Sequence, residues 1–405
     1  MAAHGIYLSP LTTVGDCDAG GGGVGPSAGN LINDGTVTGG TGGAAGTGGG
    51  DGGHGGYGID LAASLLINIG NITGGDGGIG PYIGRYNGGT GGTGAILASG
   101  MLINGGTIRG GIGGNVVNHN TIHGGDAGFR FMGSGPPGGD DGALAAGSLT
   151  NYGMISGGRA GSGHTYDLPG GAGATISGGM LTNHGTIVGG TRIETLPDFR
   201  EAAGSDVDIS AGSLINDGTI TGGYGGAGKG GVGVYFHNGG TLTNDGLISR
   251  SAIYSISQAT ADAVDFGNDA SRLVLGNDGD FLGAVVAYNT VLELSSSDSA
   301  GTVTSLGDTV SGFQTVTIDP GAAWFISGTG LAAGQTIDGF TMHDTIELTG
   351  ITVTGSSYVG GDLTLASAGG PVMLDLPGDF TTGDFNVHNA AGVASPSCVS
   401  GPVRA

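Results

Sequence analysis

The sequence predicts an all-β fold, a right-handed parallel β-helix (β-solenoid) with glycine-rich loop insertions. Three observations predict it. The phrase L-x-N-x-G-x-I-x-G-G recurs at a period near 33 residues, 99 of the 405 residues are glycine, and no long run of strong helix formers is present. Glycine inside a helix costs about 1 kcal/mol against alanine, which excludes all-α and α/β architectures. A glycine share this high means low complexity unless the glycines recur with a period.

The period is explicit. The phrase reads NLINDGTVTGG at 30–40, LLINIGNITGG at 65–75, MLINGGTIRGG at 101–111 and NVVNHNTIHGG at 115–125. It continues as SLTNYGMISGG at 148–158, MLTNHGTIVGG at 180–190, SLINDGTITGG at 213–223 and a decayed TLTNDGLISRS at 241–251. The central asparagines are Asn33, Asn68, Asn104, Asn118, Asn151, Asn183, Asn216 and Asn244, spaced by 28 to 36 residues except for a step of 14 from Asn104 to Asn118. Self-similarity at such a period marks stacked supersecondary units.

Each phrase encodes two short strands meeting at a corner, as in Leu149, Asn151, Gly153 and Ile155. Asn tolerates the left-handed region and Gly supplies positive φ without steric cost, so the pair is expected to bend the chain while Leu and Ile stay on one inner side. A third apolar piece lies upstream, as in Ile59, Leu61 and Leu65, or Ile209 and Leu214, giving three strands per coil. Coils about 4.8 Å apart place one Asn above another. Their amides can then form a ladder, and the same geometry serves if they are turn formers alone.

Between coils lie insertions such as TGGAAGTGGGDGGHGGYG (41–58) and DGGIGPYIGRYNGGTGGTG (76–94). They carry little to bury, and ordering each residue costs about 1 to 2 kcal/mol, so mobile loops are the expectation. The GGxGGx spacing also permits packed polyproline-II-like strands. Tyr57, Tyr82, Tyr86, Phe129 and Phe131 are candidate stacking platforms for a glycan, or pack onto the solenoid.

After Ser251 the phrase gives way to alternating strands headed by Leu273, Leu292, Val316, Ile346 and Leu363, read as further coils with a tighter core. The predicted organisation is an irregular N-terminal cap over 1–29, glycine-rich repeats over 30–250, a continuing solenoid over 251–392 and a disordered tail over 393–405. Trp324, Phe325 and Ile326 are assigned to the later core or its cap.

Charge and chemistry narrow the function. The 33 acidic and 10 basic residues give a net charge of −23, and Lys229 is the only lysine. Nucleic acid is excluded as a partner, because phosphate binding needs clustered cations. The two cysteines, Cys17 and Cys398, lie near opposite ends and make no disulfide framework or zinc site. The first eighteen residues lack the features of a secretory signal, and no apolar run is long enough for a transmembrane segment.

No cofactor, metal site or catalytic residue is expected. GGYGIDLAA (55–63) matches part of a calcium-binding nonapeptide but occurs once, where tandem copies are needed. His119 and His123 have helical metal-ligand spacing in a segment that reads as strand, where residues four apart are separated by about 13 Å. Asp140, Asp141, Asp206 and Asp208 are the candidates if paired carboxylates act on a polysaccharide. Each sits in a glycine-rich or turn context that accounts for an Asp without catalysis.

The repeat with its GGxGG insertions resembles the passenger regions of bacterial autotransporters and related β-helix adhesins, over about residues 30–250. The later stretch, including TVLELSSSDSAGTVTSLG (290–307), FQTVTIDPGAAWFISG (313–328) and LDLPGDFTTGDFNV (374–387), is similar to β-strand repeats of alphaproteobacterial secreted proteins. Some of those precede a self-processing Hint domain that begins at a cysteine. Cys398 stands at such a place, but the seven residues after it cannot build that fold, and no C-terminal barrel strands are recognised. The resemblance implies a non-enzymatic, secreted or cell-surface adhesin-like module, with surface glycans or neighbouring and host cell surfaces as partners. The alternative is a polysaccharide-active lyase or glycosidase.

Overall fold

A computed structural model describes residues 12–14, 17–18, 30–44, 53–61, 64–78, 91–97, 100–110, 121–122, 129–131, 147–158, 166–167, 171–176, 178–191, 207–224, 230–251, 261–328, 335–389 and 397–400. Apart from a 3-10 turn at Thr382–Asp384, every regular element among them is a β-strand or isolated bridge. The fold is a β-solenoid of parallel strands in stacked sheets. The chain divides into two compact units, one of Met1–Asn238, Leu247–Asp265 and Phe281–Gly283, the other of Gly239–Gly246, Phe266–Asp280 and Ala284–Ala405.

Among the described residues of the first unit, each of the five coils from Ile59–Leu61 through Thr219–Thr221 contributes three strands, and like stacks on like. Leu31, Leu66, Leu102, Leu149, Leu181 and Leu214 form one inward column through in-register parallel pairing. Val37, Ile72, Ile108, Ile155, Ile187, Ile220 and Ile248 form a second. The upstream strands, Ile59–Leu61, Ala95–Leu97, Phe129–Phe131, Ala174–Ile176, Val207–Ile209 and Val234–Phe236, pair successively as the third wall. The Leu and Ile columns are at most 1% exposed, and each such side chain stabilises the coil by about 1.5–3 kcal/mol.

The expected fourth coil is not a rung of this stack. Asn104 pairs directly with Asn151. Asn118 lies outside the described residues, and Thr121–Ile122 pairs instead with Tyr166–Asp167 in a separate two-stranded sheet. The step of 14 is too short for a coil of about 18 residues plus an insertion.

Glycine at the Asn-x-Gly corner has a different cause from the one expected. Positive φ occurs at Gly100, Gly147, Gly179 and Gly212, which enter the second strand of four coils, and not at the corner glycines. A Cβ at Gly106 would lie 2.0 Å from the Gly70 carbonyl oxygen, and one at Gly153 would lie 2.1 Å from that of Gly106. Close stacking of corner backbones therefore demands glycine there.

The insertion limbs nearest the coils are packed, correcting the expectation of mobile loops for the described part. Gly56 N donates to Gly40 O, Gly75 N to Gly56 O and Gly92 N to Gly75 O, each at 2.7 Å. Outgoing and returning limbs thus alternate along the stack. Donors fall three residues apart, at Gly39 and Gly42, Gly53 and Gly56, and Gly75 and Gly78, which is the polyproline II period. A Cβ at Gly42 would sit 1.8 Å from Gly53 O, and one at Gly75 would sit 2.0 Å from Gly40 O. The same contacts recur later, where Gly171 N bonds Gly158 O and Gly190 N bonds Gly171 O.

In the second unit Leu242, Leu273, Leu292, Val316 and Ile337 form a parallel column. Val303, Ile326 and Ile346 form another. Trp324 and Ile326 are buried, as expected of core residues, while Phe325 is half-buried. Two assignments change. Ile346 belongs to the second column, its expected place being taken by Ile337, and Leu363 is in no parallel coil. Strands Val353–Val359, Asp362–Ser367 and Val372–Asp375 run antiparallel. Alternation of period two suits either pairing direction, so it did not distinguish them. The expected disordered tail includes a strand, Ser397–Ser400, antiparallel to both Thr345–Leu348 and Asn386–Asn389.

Candidate functional site

The asparagines form the ladder. Asn33 donates through Nδ2 to Oδ1 of Asn68 at 2.7 Å, Asn68 to Asn104 at 2.7 Å, and then Asn104 to Asn151, Asn151 to Asn183 and Asn183 to Asn216, each at 2.8 Å. All six are 0% exposed. Each of the first five amides also meets a carbonyl at the start of the next coil's third strand, such as Asn151 Nδ2 to Thr186 O at 3.3 Å. At the first rung Asn33 Oδ1 is buried without a partner, because the strand before it places Val14 opposite Asn33. The ladder is structural, since its reactive atoms are sealed inside.

Exposed chemistry sits one residue further on. The position after each asparagine gives a row of Asp34, Ile69, Gly105, Tyr152, His184 and Asp217, one per coil. Register is set by the backbone, as Tyr152 N donates to Asn104 O at 2.6 Å and His184 N to Asn151 O at 2.8 Å. Tyr152 stacks on His184 with ring centroids 4.7 Å apart and planes 15° from parallel. His184 Nδ1 lies 2.6 Å from Asp217 Oδ2. A second cluster occupies the upstream wall, where Tyr235 packs edge-on against His237 and His237 Nε2 pairs with Asp208 Oδ1. Sequence reasoning missed both clusters, and reading the post-asparagine position as a column would have found the first.

Of the suspected carboxylates, Asp140, Asp141 and Asp206 lie outside the described residues. Asp208 is described, and its neighbours in register are Thr175 and Tyr235. His119, His123, Tyr82 and Tyr86 are also outside the described residues, as are the side chains of Phe129 and Phe131; Tyr57 is half-buried. In the nonapeptide match, Asp60 faces Ile96 on the next coil, and burial pushes its carboxyl above the ordinary range. Among the described residues no group of three or more His, Cys, Asp or Glu is placed to hold a metal ion, and no helix is long and apolar enough to cross a membrane.

Set against known proteins, the chain matches no family model, no curated protein and no solved structure.

Proposed function

We propose that this chain is a non-enzymatic structural and adhesive module, secreted or held at a cell surface, that presents its insertions as a broad weak-contact surface to glycans or neighbouring cells. The observation that supports this reading is the hydrogen-bonded alternation of glycine limbs. Successive insertions leave the same corner, and their limbs bond to one another as Gly40, Gly56, Gly75 and Gly92 do. Sequence variation in the tips then costs the scaffold little, because lengthening a loop adds only about 0.6 kcal/mol per doubling.

The test incubates the purified chain with cells and with a panel of neutral and acidic glycans, with and without calcium. Reducing ends and the absorbance of unsaturated products are followed alongside binding. Binding without turnover is the expected result. Turnover that disappears in Asp208→Asn would overturn the proposal in favour of the polysaccharide-active reading.

A further inference from the structure

The row that carries Tyr152 has a vacant rung. Gly105 follows Asn104 and points outward, and a Cβ built on it would meet only Asn68 O, at 3.8 Å. On one side stands Ile69, 63% exposed, and on the other Tyr152, 60% exposed. Tyr152 is separated from His184 by one coil spacing and stacks nearly parallel to it, so its ring lies across the solenoid axis and its free face turns toward the Gly105 rung. Behind it, the His184 imidazole is held by Asp217. The platform is braced before any ligand arrives, which lowers the ordering cost of binding.

The dimensions admit a single ring, and the rim selects its chemistry. Ile69 and Tyr152 are two rungs apart, about 9.6 Å at about 4.8 Å per rung. A ring held between two surfaces takes up about 7–8 Å, two carbon contacts of about 3.5–4 Å, so the gap admits one ring and no second. The rim is polar. Thr107 and the exposed Asn71 and Arg109 occupy the next outward positions along the third strands, and Thr150 flanks Tyr152 on the other side. These are partners for the hydroxyl edge of a sugar, which offers several O–H groups where a Tyr or Trp ring offers one polar group and a Phe ring none.

We infer that the notch between Ile69 and Tyr152, floored by Gly105, is a stacking site for one neutral pyranose ring of a glycan. It lies at the Asn-x-Gly corner, away from the corner where the insertions leave, so it stands independently of the presentation reading above.

The full-length chain is titrated with maltohexaose, cellohexaose and laminarihexaose, and with N-acetyl-tryptophanamide as an aromatic probe, by calorimetry and saturation-transfer NMR. At least one hexasaccharide is expected to bind. Its affinity should fall at least tenfold both in Tyr152→Ala and in Gly105→Leu, which fills the notch without a backbone clash, and should be unchanged in Tyr235→Ala. Melting curves confirm that each variant is folded. Absence of binding by all three sugars, binding unaffected by Gly105→Leu, or tighter binding of the aromatic probe than of every sugar would each overturn the inference. Cell binding through the insertions survives Gly105→Leu, so the two readings fail separately.

Discussion

The side-chain amide of Asn104 donates to Oδ1 of Asn151 across 2.8 Å, although 47 residues separate them. Whatever the chain does between them, it returns to the same rung. This amide column is continuous from Asn33 to Asn216, and its interior members both give and receive. Replacing Asn151 or Asn183 by Leu therefore removes two amide contacts from a buried column and is expected to destabilise by about 1–3 kcal/mol. Asn33→Leu should cost less, since Asn33 Oδ1 has no partner to lose. Urea midpoints of the three variants rank them, and equal losses would contradict a cooperative ladder.

Glycine limbs make a sharper comparison within a few residues. Gly42→Ala places a methyl 1.8 Å from Gly53 O, whereas Gly43→Ala meets nothing within 4 Å. The first should cost about 1–3 kcal/mol through forced backbone shifts, and the second should be nearly neutral. Thermal melts combined with amide hydrogen exchange at Gly53 and Gly78 check this, because those amides bond across the same limbs.

At the corner the same contrast falls on adjacent residues. Gly106→Ala collides with Gly70 O at 2.0 Å, while at Gly105 the nearest atom is 3.8 Å away. A shift in melting temperature for Gly106→Ala and none for Gly105→Ala is the expected outcome. Equal shifts would mean that the corner needs glycine for conformational freedom and not for close stacking.

Asp344 is expected to make the stability of the second unit depend on pH. It is 0% exposed, and accepts hydrogen bonds from Trp324 N at 2.9 Å and from Thr341 N and Oγ1 at 2.8 and 2.9 Å. Burial raises its carboxyl above the ordinary 3.8, outweighing the lowering by these bonds and by His343. A raised value in the folded state means that the unfolded chain ionises first. The contribution to stability is thus fullest below pH 3.8 and declines as pH rises through the folded value. Asp344→Asn lacks this ionisation, so the urea midpoint of the native chain should fall relative to that of the variant over this rise. A parallel pair of pH profiles would refute the assignment.

The outer strand Val353–Val359 pairs on one side with Asp362–Ser367. On its other side, side chains take the ladder positions: Asn389 accepts from Val353 N and donates to Val353 O, both at 2.9 Å, and Thr382 Oγ1 accepts from Tyr358 N at 2.9 Å. Open strand edges template association. Asn389→Ala is expected to increase concentration-dependent self-association, read by light scattering, with little loss of secondary structure by circular dichroism.

How much of this was legible in the chain follows from the range of each interaction. Leu149, Asn151, Gly153 and Ile155 announce an inward pair of side chains about a corner because strand alternation and turn chemistry act over four or five residues. The three-strand coil and the all-β class follow from repeating that unit. Which copies become rungs is a different matter. Asn118 carries the same local phrase as Asn151, yet the bond from Asn104 goes to Asn151, since stacking depends on how much chain is left to close a coil. Ile337 displaces Ile346 from its column, and Leu363 turns antiparallel, because an apolar alternation presents the same buried face to a partner running in either direction. The glycine limbs, and the empty rung between Ile69 and Tyr152, depend on backbone approaches of about 3 Å between residues tens of positions apart, a distance that no local pattern encodes and that only the assembled coils set.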